Sequence, residues 1–200
     1  RAVGRLHRDH PDLKLYIREA SPVQLIEDLD RGEHDLILTQ LPAPGPDYVV
    51  ARLFREPLLL TVSREHALAD HEVVTEADLA GLQVLSLGPG YVLHEQVRSL
   101  CARHDARMQT DYEGTSLDAL RAMTGMGMGV SLLPALYVAS EITRRNDVVR
   151  AVRFAGDRVA RSIGLVTRRK GGNIRSFDRL TDVFRAIARR QKTSGLRVET

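Results

Sequence analysis

Hydrophobic and polar positions along the chain alternate between the two-residue period of strands and the longer period of helices. Leu13, Leu15 and Ile17 recur at every second position, which predicts a strand over 13–18. Ser21 then stands as a helix cap with Pro22 in the first turn, Leu25 and Leu29 form a buried stripe, and Gly32 closes the helix. Asp35–Thr39 reads as the next strand. This βαβ unit has short connections, hence a parallel pair with a right-handed crossover. The loop Pro42–Pro46 is turn-rich, and Pro57–Val62 is a continuous apolar strand. Thr75 and Asp78 have capping-box spacing. A strand over 82–87, a Gly88-Pro89-Gly90 turn, a helix from Val92 to His104 and a strand near 108–113 follow.

The most informative stretch is Thr115–Pro134. Thr115 and Asp118 repeat the capping-box spacing, and Leu117, Leu120 and Met123 recur on one helical face. Gly125, Gly127 and Gly129 then supply loose backbone for a turn into a buried strand, Val130–Leu133, ended by Pro134. The helix N-terminus, with unpaired N–H groups beside Thr115 and Ser116, suits an anion or polar ligand. Strands over 148–154 and 162–167 precede a terminal helix over 176–191, with Phe177, Leu180, Phe184 and Ile187 inward. Alternating β and α elements of this length predict an open α/β sheet.

Composition adds bounds. The chain has 200 residues, 43% of them hydrophobic and 28% charged, enough for one large or two small domains with a sizeable core. No apolar run approaches the ~20 residues of a membrane span. The sequence begins at Arg1 in what reads as a helix already under way, so an upstream portion is expected. With 29 basic and 26 acidic residues the net charge is only +3, too balanced to indicate nucleic-acid binding by this segment. The basic clusters Arg144-Arg145, Arg168-Arg169-Lys170 and Arg185/Arg189/Arg190/Lys192 read as solvated faces.

Cys101 is the single cysteine and cannot form an internal disulfide. It follows Leu93 and Val97 on one helical face, which predicts a core thiol, with a redox role as the alternative. His66 and His71 lie in a polar loop and read as solvated. No C-x-x-C, H-E-x-x-H or phosphate-cradling loop is present, and no nucleophile–base–orienter set can be assembled. No metal, cofactor or enzymatic activity is expected.

Three segments, in order, resemble the effector-binding domain of LysR-type transcriptional regulators: Glu19–Leu38; Pro57 through His66-Ala-Leu-Ala69 to Asp78-Leu-Ala-Gly81; and Thr115–Pro134. The resemblance implies a two-lobed type II periplasmic-binding-protein-like fold, two α/β subdomains joined by two crossover strands. One would take residues 1–61 plus 164–200 and the other 62–163, with an N-terminal winged helix-turn-helix outside this chain. It further implies a small effector in the cleft between lobes, a cytoplasmic homodimer that becomes a tetramer in the full-length protein, DNA bound through the N-terminal part, RNA polymerase as a further partner, and no membrane. A transporter's solute-binding protein of the same fold is the alternative.

On that reading the effector-binding candidates are Ser21, Pro22, Thr39, Gln40, Tyr91, Val92, His94, Thr115, Ser116 and Arg161. Ser21 is a helix cap or a ligand donor; Pro22 stands where the family usually has a hydroxyl. Thr39 and Gln40 are strand-end residues or ligand contacts, and Arg161 is a surface charge, the partner of a carboxylate or phosphate on an effector, or the partner of an acidic side chain across the lobes. Leu87–Cys101 is most similar to the peroxide-sensing OxyR branch, which carries a reactive cysteine at the helix start and a second nine residues later. Here Val92 occupies the first position and only Cys101 remains. A valine forms neither a sulfenic acid nor a disulfide. The resemblance is therefore to an OxyR-like regulator without intramolecular-disulfide sensing.

Overall fold

A computed structural model describes residues 4, 8, 14–43, 45–111, 116–142, 148–172, 174–191, 193 and 195–199, with the side chains of 174 and 175 excepted. Arg144-Arg145, Thr115 and the helix expected at the start of the chain therefore lie outside the described residues or are barely touched by them. Chain contacts divide the molecule into two compact units. The first comprises Arg1–Arg55, Ser162–Lys192 and Leu196–Thr200; the second comprises Glu56–Arg161 and Thr193–Gly195.

In the first unit, helix α1 (Pro22–Arg31) precedes strand β1 (Ile37–Gln40). The Ser21 hydroxyl accepts the Gln24 N–H, and Gly32 ends the helix at φ 79, a left-handed conformation that costs glycine nothing. Strand β2 (Tyr48–Ser63) begins here, and β8 (Ala160–Arg168), helix α5 (Ile174–Arg189) and the short β9 (Arg197–Val198) complete the unit. β1 pairs antiparallel with β8, Ile37 opposite Val166 and Gln40 opposite Ile163, and β8 neighbours β2. Leu53, Leu165, Phe177 and Leu180 form one core cluster, and Leu29, Ile37, Leu41 and Val166 another.

Two expectations fail in this unit. Residues 14–20 carry no strand, so the parallel βαβ pair is absent among the described residues. Alternation makes a strand only where a ladder partner and a buried face exist. Here Leu15, Tyr16 and Ile17 are all exposed, and the segment is tied down by Arg18, whose Nη1 donates to Asp28 at 3.2 Å. Asp28 itself is buried, accepting also from Gln24 Nε2 at 2.7 Å and from Arg31. The Gln24 hydrogen bond, then the charges of Arg18 and Arg31, hold its carboxyl below the usual range despite its burial.

The second expectation, that the basic clusters are solvated faces, fails only in part: Lys170, Arg189 and Arg190 are exposed, but three other cluster arginines bond backbone carbonyls. Arg168 donates to the carbonyls of Leu29 and His34, Arg169 to those of Pro46 and Tyr48, and Arg185 to that of Arg52. Each guanidinium donates to backbone carbonyls, among them that of Leu29 in the last turn of α1, which also accepts the Gly32 N–H.

The second unit is a mixed sheet in the order β5-β4-β6-β2-β7-β3. Its strands are β3 (Val73–Val74), β4 (Gln83–Leu85), β5 (Arg107–Met108), β6 (Val130–Pro134) and β7 (Val149–Phe154), with the second half of β2. β6 and β7 run antiparallel to β2, whereas β4 is parallel to β5 and β6. Its helices are α2 (Val92–Arg103), α3 (Leu117–Gly125) and α4 (Ala135–Glu141), plus a 3₁₀ turn at Glu76–Leu79. The Thr75/Asp78 capping box is present, with Asp78 Oδ2 accepting from the Thr75 N–H at 2.6 Å. The expected strand near 108–113 is reduced to two residues within the described chain.

Strand pairing sorts the core by face. Leu58, Leu60, Val62, Val84, Val130 and Leu132 share one side and Leu59, Thr61, Leu85, Ser131 and Leu133 the other. On the second side, the buried hydroxyls of Thr124 and Ser131 lie 2.9 Å apart and bond each other beneath α3. The N-cap of α3 is Ser116, whose hydroxyl accepts the Ala119 N–H. Asp118 therefore falls one position short of the box expected of it and accepts instead from the Tyr137 hydroxyl at 2.6 Å.

The three glycines between α3 and β6 serve different needs. Only Gly127 has a positive φ, at 77. A Cβ on Gly125 would strike the Val148 side chain, and one on Gly129 would stand 2.8 Å from the Gln83 carbonyl oxygen. Gly129→Ala is expected to destabilise the chain by about 1–3 kcal/mol through overpacking against β4. Gly127→Asn, which tolerates a left-handed backbone in open space, is expected to be close to neutral. Urea unfolding of the two variants checks the contrast.

Candidate functional site

Helix α2 holds the residues that matter most to the redox question. Leu93, Val97, Leu100 and Cys101 are its buried face, spaced four, three and one apart, and all join the core of the second unit. Cys101 is 3% exposed, and burial pushes its thiol upward from the ordinary range, only partly offset by a backbone hydrogen bond. A desolvated thiol is a poor thiolate and hence a poor nucleophile. Val92 is the first helical residue and half-buried; Tyr91 occupies the N-cap position without a side-chain capping bond. His94 Nδ1–H donates to the Leu87 carbonyl at 2.7 Å, tying the helix start to the end of the preceding segment.

Arg161 is committed within the protein. Its Nε and Nη2 donate to Glu56 Oε1 at 2.9 and 2.7 Å. Glu56 is 1% exposed, and its Oε2 accepts the Leu136 N–H at the start of α4. One carboxylate thus satisfies a guanidinium and a helix-start donor, the arrangement a buried charge requires. The expectation that Arg161 supplies positive charge to an effector is corrected accordingly: a buried partner already neutralises it. Glu56 escaped the sequence reading. Its signal was a carboxylate at the head of the apolar run Pro57–Val62, where a charge needs a specific partner.

The other expected residues are placed as follows. In the first unit, Ser21 is an exposed cap and Pro22 the first helical residue of α1. Thr39 and Gln40 are the last two residues of β1, opposite Gly164 and Ile163. The strand runs one residue further because the β8 ladder continues to pair with it. In the second unit, Ser116 is the exposed N-cap of α3, while Thr115 lies outside the described residues. Beside it, burial and then the Asp118 bond push the Tyr137 phenol up to about 12, so it remains a neutral donor. His66 Nδ1 accepts the Leu68 N–H at 3.1 Å. No grouping able to hold a metal ion occurs among the described residues, and no described helix is long and apolar enough to cross a membrane.

The Glu56–Arg161 pair has a measurable consequence. Arg161→Leu alone leaves the Glu56 carboxylate buried without its counter-charge and is expected to cost about 3 kcal/mol. The double variant Glu56→Leu/Arg161→Leu removes both charges and is expected to recover much of that loss. A double-mutant cycle in urea measures the difference.

Comparison with known proteins places this architecture. The family model for the LysR substrate binding domain matches residues 1–189. The DNA-binding transcriptional dual regulator OxyR of Escherichia coli K12 is 37% identical over 185 residues, 92% of this chain and 60% of that protein. The hydrogen peroxide-inducible genes activator of Pectobacterium carotovorum is 35% identical, with the same coverage. The chain thus spans about three-fifths of the length of these relatives. Among solved structures, the oxidised form of OxyR superposes with a TM-score of 0.80 at 36% identity, covering 92% of this chain and 86% of that one. The neighbours share the type II periplasmic-binding-like α/β fold. The chain belongs to the LysR substrate binding domain family and is close to OxyR in sequence and structure.

Proposed function

We propose that the chain is the regulatory, effector-binding part of an OxyR-like LysR-type transcription factor that does not sense peroxide through an intramolecular disulfide. The observation that carries this reading is the state of helix α2: Val92 at its first position and Cys101 buried in the core nine residues later. The family match and the 37% identity to a transcriptional regulator support regulation over solute capture for a transporter. On this proposal the protein acts on DNA through a part outside this chain, works as a homodimer, and answers a small effector rather than catalysing a reaction. Ser21, Ser116, Tyr91 and His94 are the polar candidates for effector contact, each also serving a helix start. With Arg161 held by Glu56, an anion would gain only about 0.3–1 kcal/mol from each helix N-terminus.

Peroxide chemistry gives the test. A brief pulse of peroxide at about the micromolar level is expected to leave the intact mass of the native chain unchanged, because the thiol is buried and raised in pKa. Val92→Cys is expected to make the same segment oxidisable at that new, half-buried position. Stoichiometric sulfenylation of Cys101 in the unaltered chain would restore peroxide as the signal and contradict the proposal.

A further inference from the structure

Thr61, Thr124 and Ser131 are completely buried, and none belongs to the residues named above for effector contact. The sheet register brings them together. Thr61 of β2 stands directly opposite Ser131 of β6, and on its other side it faces Ala151 of β7. Ser131 in turn lies beside Leu85 of β4. Serine, threonine and alanine thus form a row of small side chains on three neighbouring strands, on the face against which α3 packs. The next pair along that face, Leu59 opposite Leu133, is large. α3 places Thr124 over the row, and its hydroxyl lies 2.9 Å from that of Ser131. The Thr61 hydroxyl has no hydrogen-bond partner within the protein. Three hydroxyls carry three O–H donors, and the Thr124–Ser131 bond uses one, so two donors and most of the lone pairs remain.

We propose that the three hydroxyls form a binding site for one internal water molecule, seated beneath α3 between Thr61 and the Thr124–Ser131 pair. The spacing suits a bridge and not a direct bond. Opposed residues of an antiparallel ladder have Cβ atoms about 4.5–5.5 Å apart. One water joins oxygens up to about 5–6 Å apart, twice an ordinary O–H···O distance. Buried polar groups are almost always bonded, and an internal water needs two to four polar partners, which this row and Thr124 supply. An apolar occupant would leave Thr61 without a partner. A bare ion would meet no opposite charge among Leu59, Leu85, Leu133 and Ala151, which border the hydroxyls on the sheet. Water alone is small enough and both donates and accepts. Such a water ties the last turn of α3, where Thr124 precedes Gly125, to β2 as well as to β6. The site lies wholly in the second unit and is independent of the regulatory reading.

Crystallography of the unaltered chain gives the first test. Density for an ordered oxygen is expected within about 3.0 Å of Thr61 Oγ1 and of the Ser131 or Thr124 hydroxyl. Water oxygen-17 relaxation dispersion, which registers long-lived internal waters, gives the second. Thr61→Val keeps the shape of the side chain and removes only its hydroxyl. It is expected to lose the dispersion amplitude of one water and to lower the urea midpoint with the slope unchanged. Ser131→Ala is expected to lose that same water, so the double variant loses no second one. A dry site gives the opposite sign, because Thr61→Val would then delete an unsatisfied buried group and raise the midpoint. The proposal is overturned by density that shows no oxygen there, by a direct bond from Thr61 to a protein group, by unchanged dispersion in Thr61→Val, or by a raised midpoint. Should Thr61→Val fail to fold, the density of the unaltered chain decides.

Discussion

The second unit depends on one constraint: the aliphatic face of its sheet must be covered. Leu58, Leu60, Val84, Val130 and Leu132 stand on one side of β2, β4 and β6, all nearly inaccessible to water. Leu93, Val97, Leu100 and Cys101 of α2 share the same core. At roughly 1.5–3 kcal/mol for each large aliphatic side chain removed from water, this packing outweighs any surface ion pair in the unit. It fixes the rotation of α2, and the rotation decides the chemistry. Cys101 is turned inward as a small hydrophobe, and Val92 sits at the first turn where no thiol exists. Below Leu100 the cover and the sheet leave room for a small cavity.

A second layer of order comes from charges that look available in sequence and are spent in the fold. Arg161 is held by Glu56, which also accepts the first helix donor of α4. Arg168, Arg169 and Arg185 satisfy backbone carbonyls, and Asp28 gathers Gln24, Arg18 and Arg31 around one buried carboxylate. Burying a carboxylate costs least where both of its oxygens have donors, as those of Glu56 and Asp28 do. The consequence for function is that an arginine's place in the sequence does not by itself make its charge available to a ligand.

Much of the fold was legible because its signals are local. Ser21, Pro22 and Gly32 bracket α1 as cap and stop residues do, and the apolar spacing in α2 and α5 places Leu93, Cys101, Phe177 and Leu180 inward. Local signals fail where the decision belongs to a distant partner. Alternation over 13–18 predicted a strand, but no ladder forms over the described residues 14–18. The strand expected to end at Thr39 reaches Gln40, because nothing nearby in sequence shows that β8 extends the pairing by one residue. The Glu56–Arg161 bond joins residues 105 apart in the chain, so neither position advertises the other. The small cavity was equally invisible, since it arises where two strands, a 3₁₀ turn, a helix and the segment before β8 meet.

The account rests on Cys101 being a core residue of a rigidly covered sheet. The direct measurement is the alkylation rate of Cys101 in the native chain, followed across increasing urea. The account predicts that the thiol reacts only through global unfolding, so that its opening free energy falls with urea along the same line as the equilibrium stability. Fast alkylation in the absence of urea, with no urea dependence, would show that α2 exposes its thiol in the native state and would contradict the account.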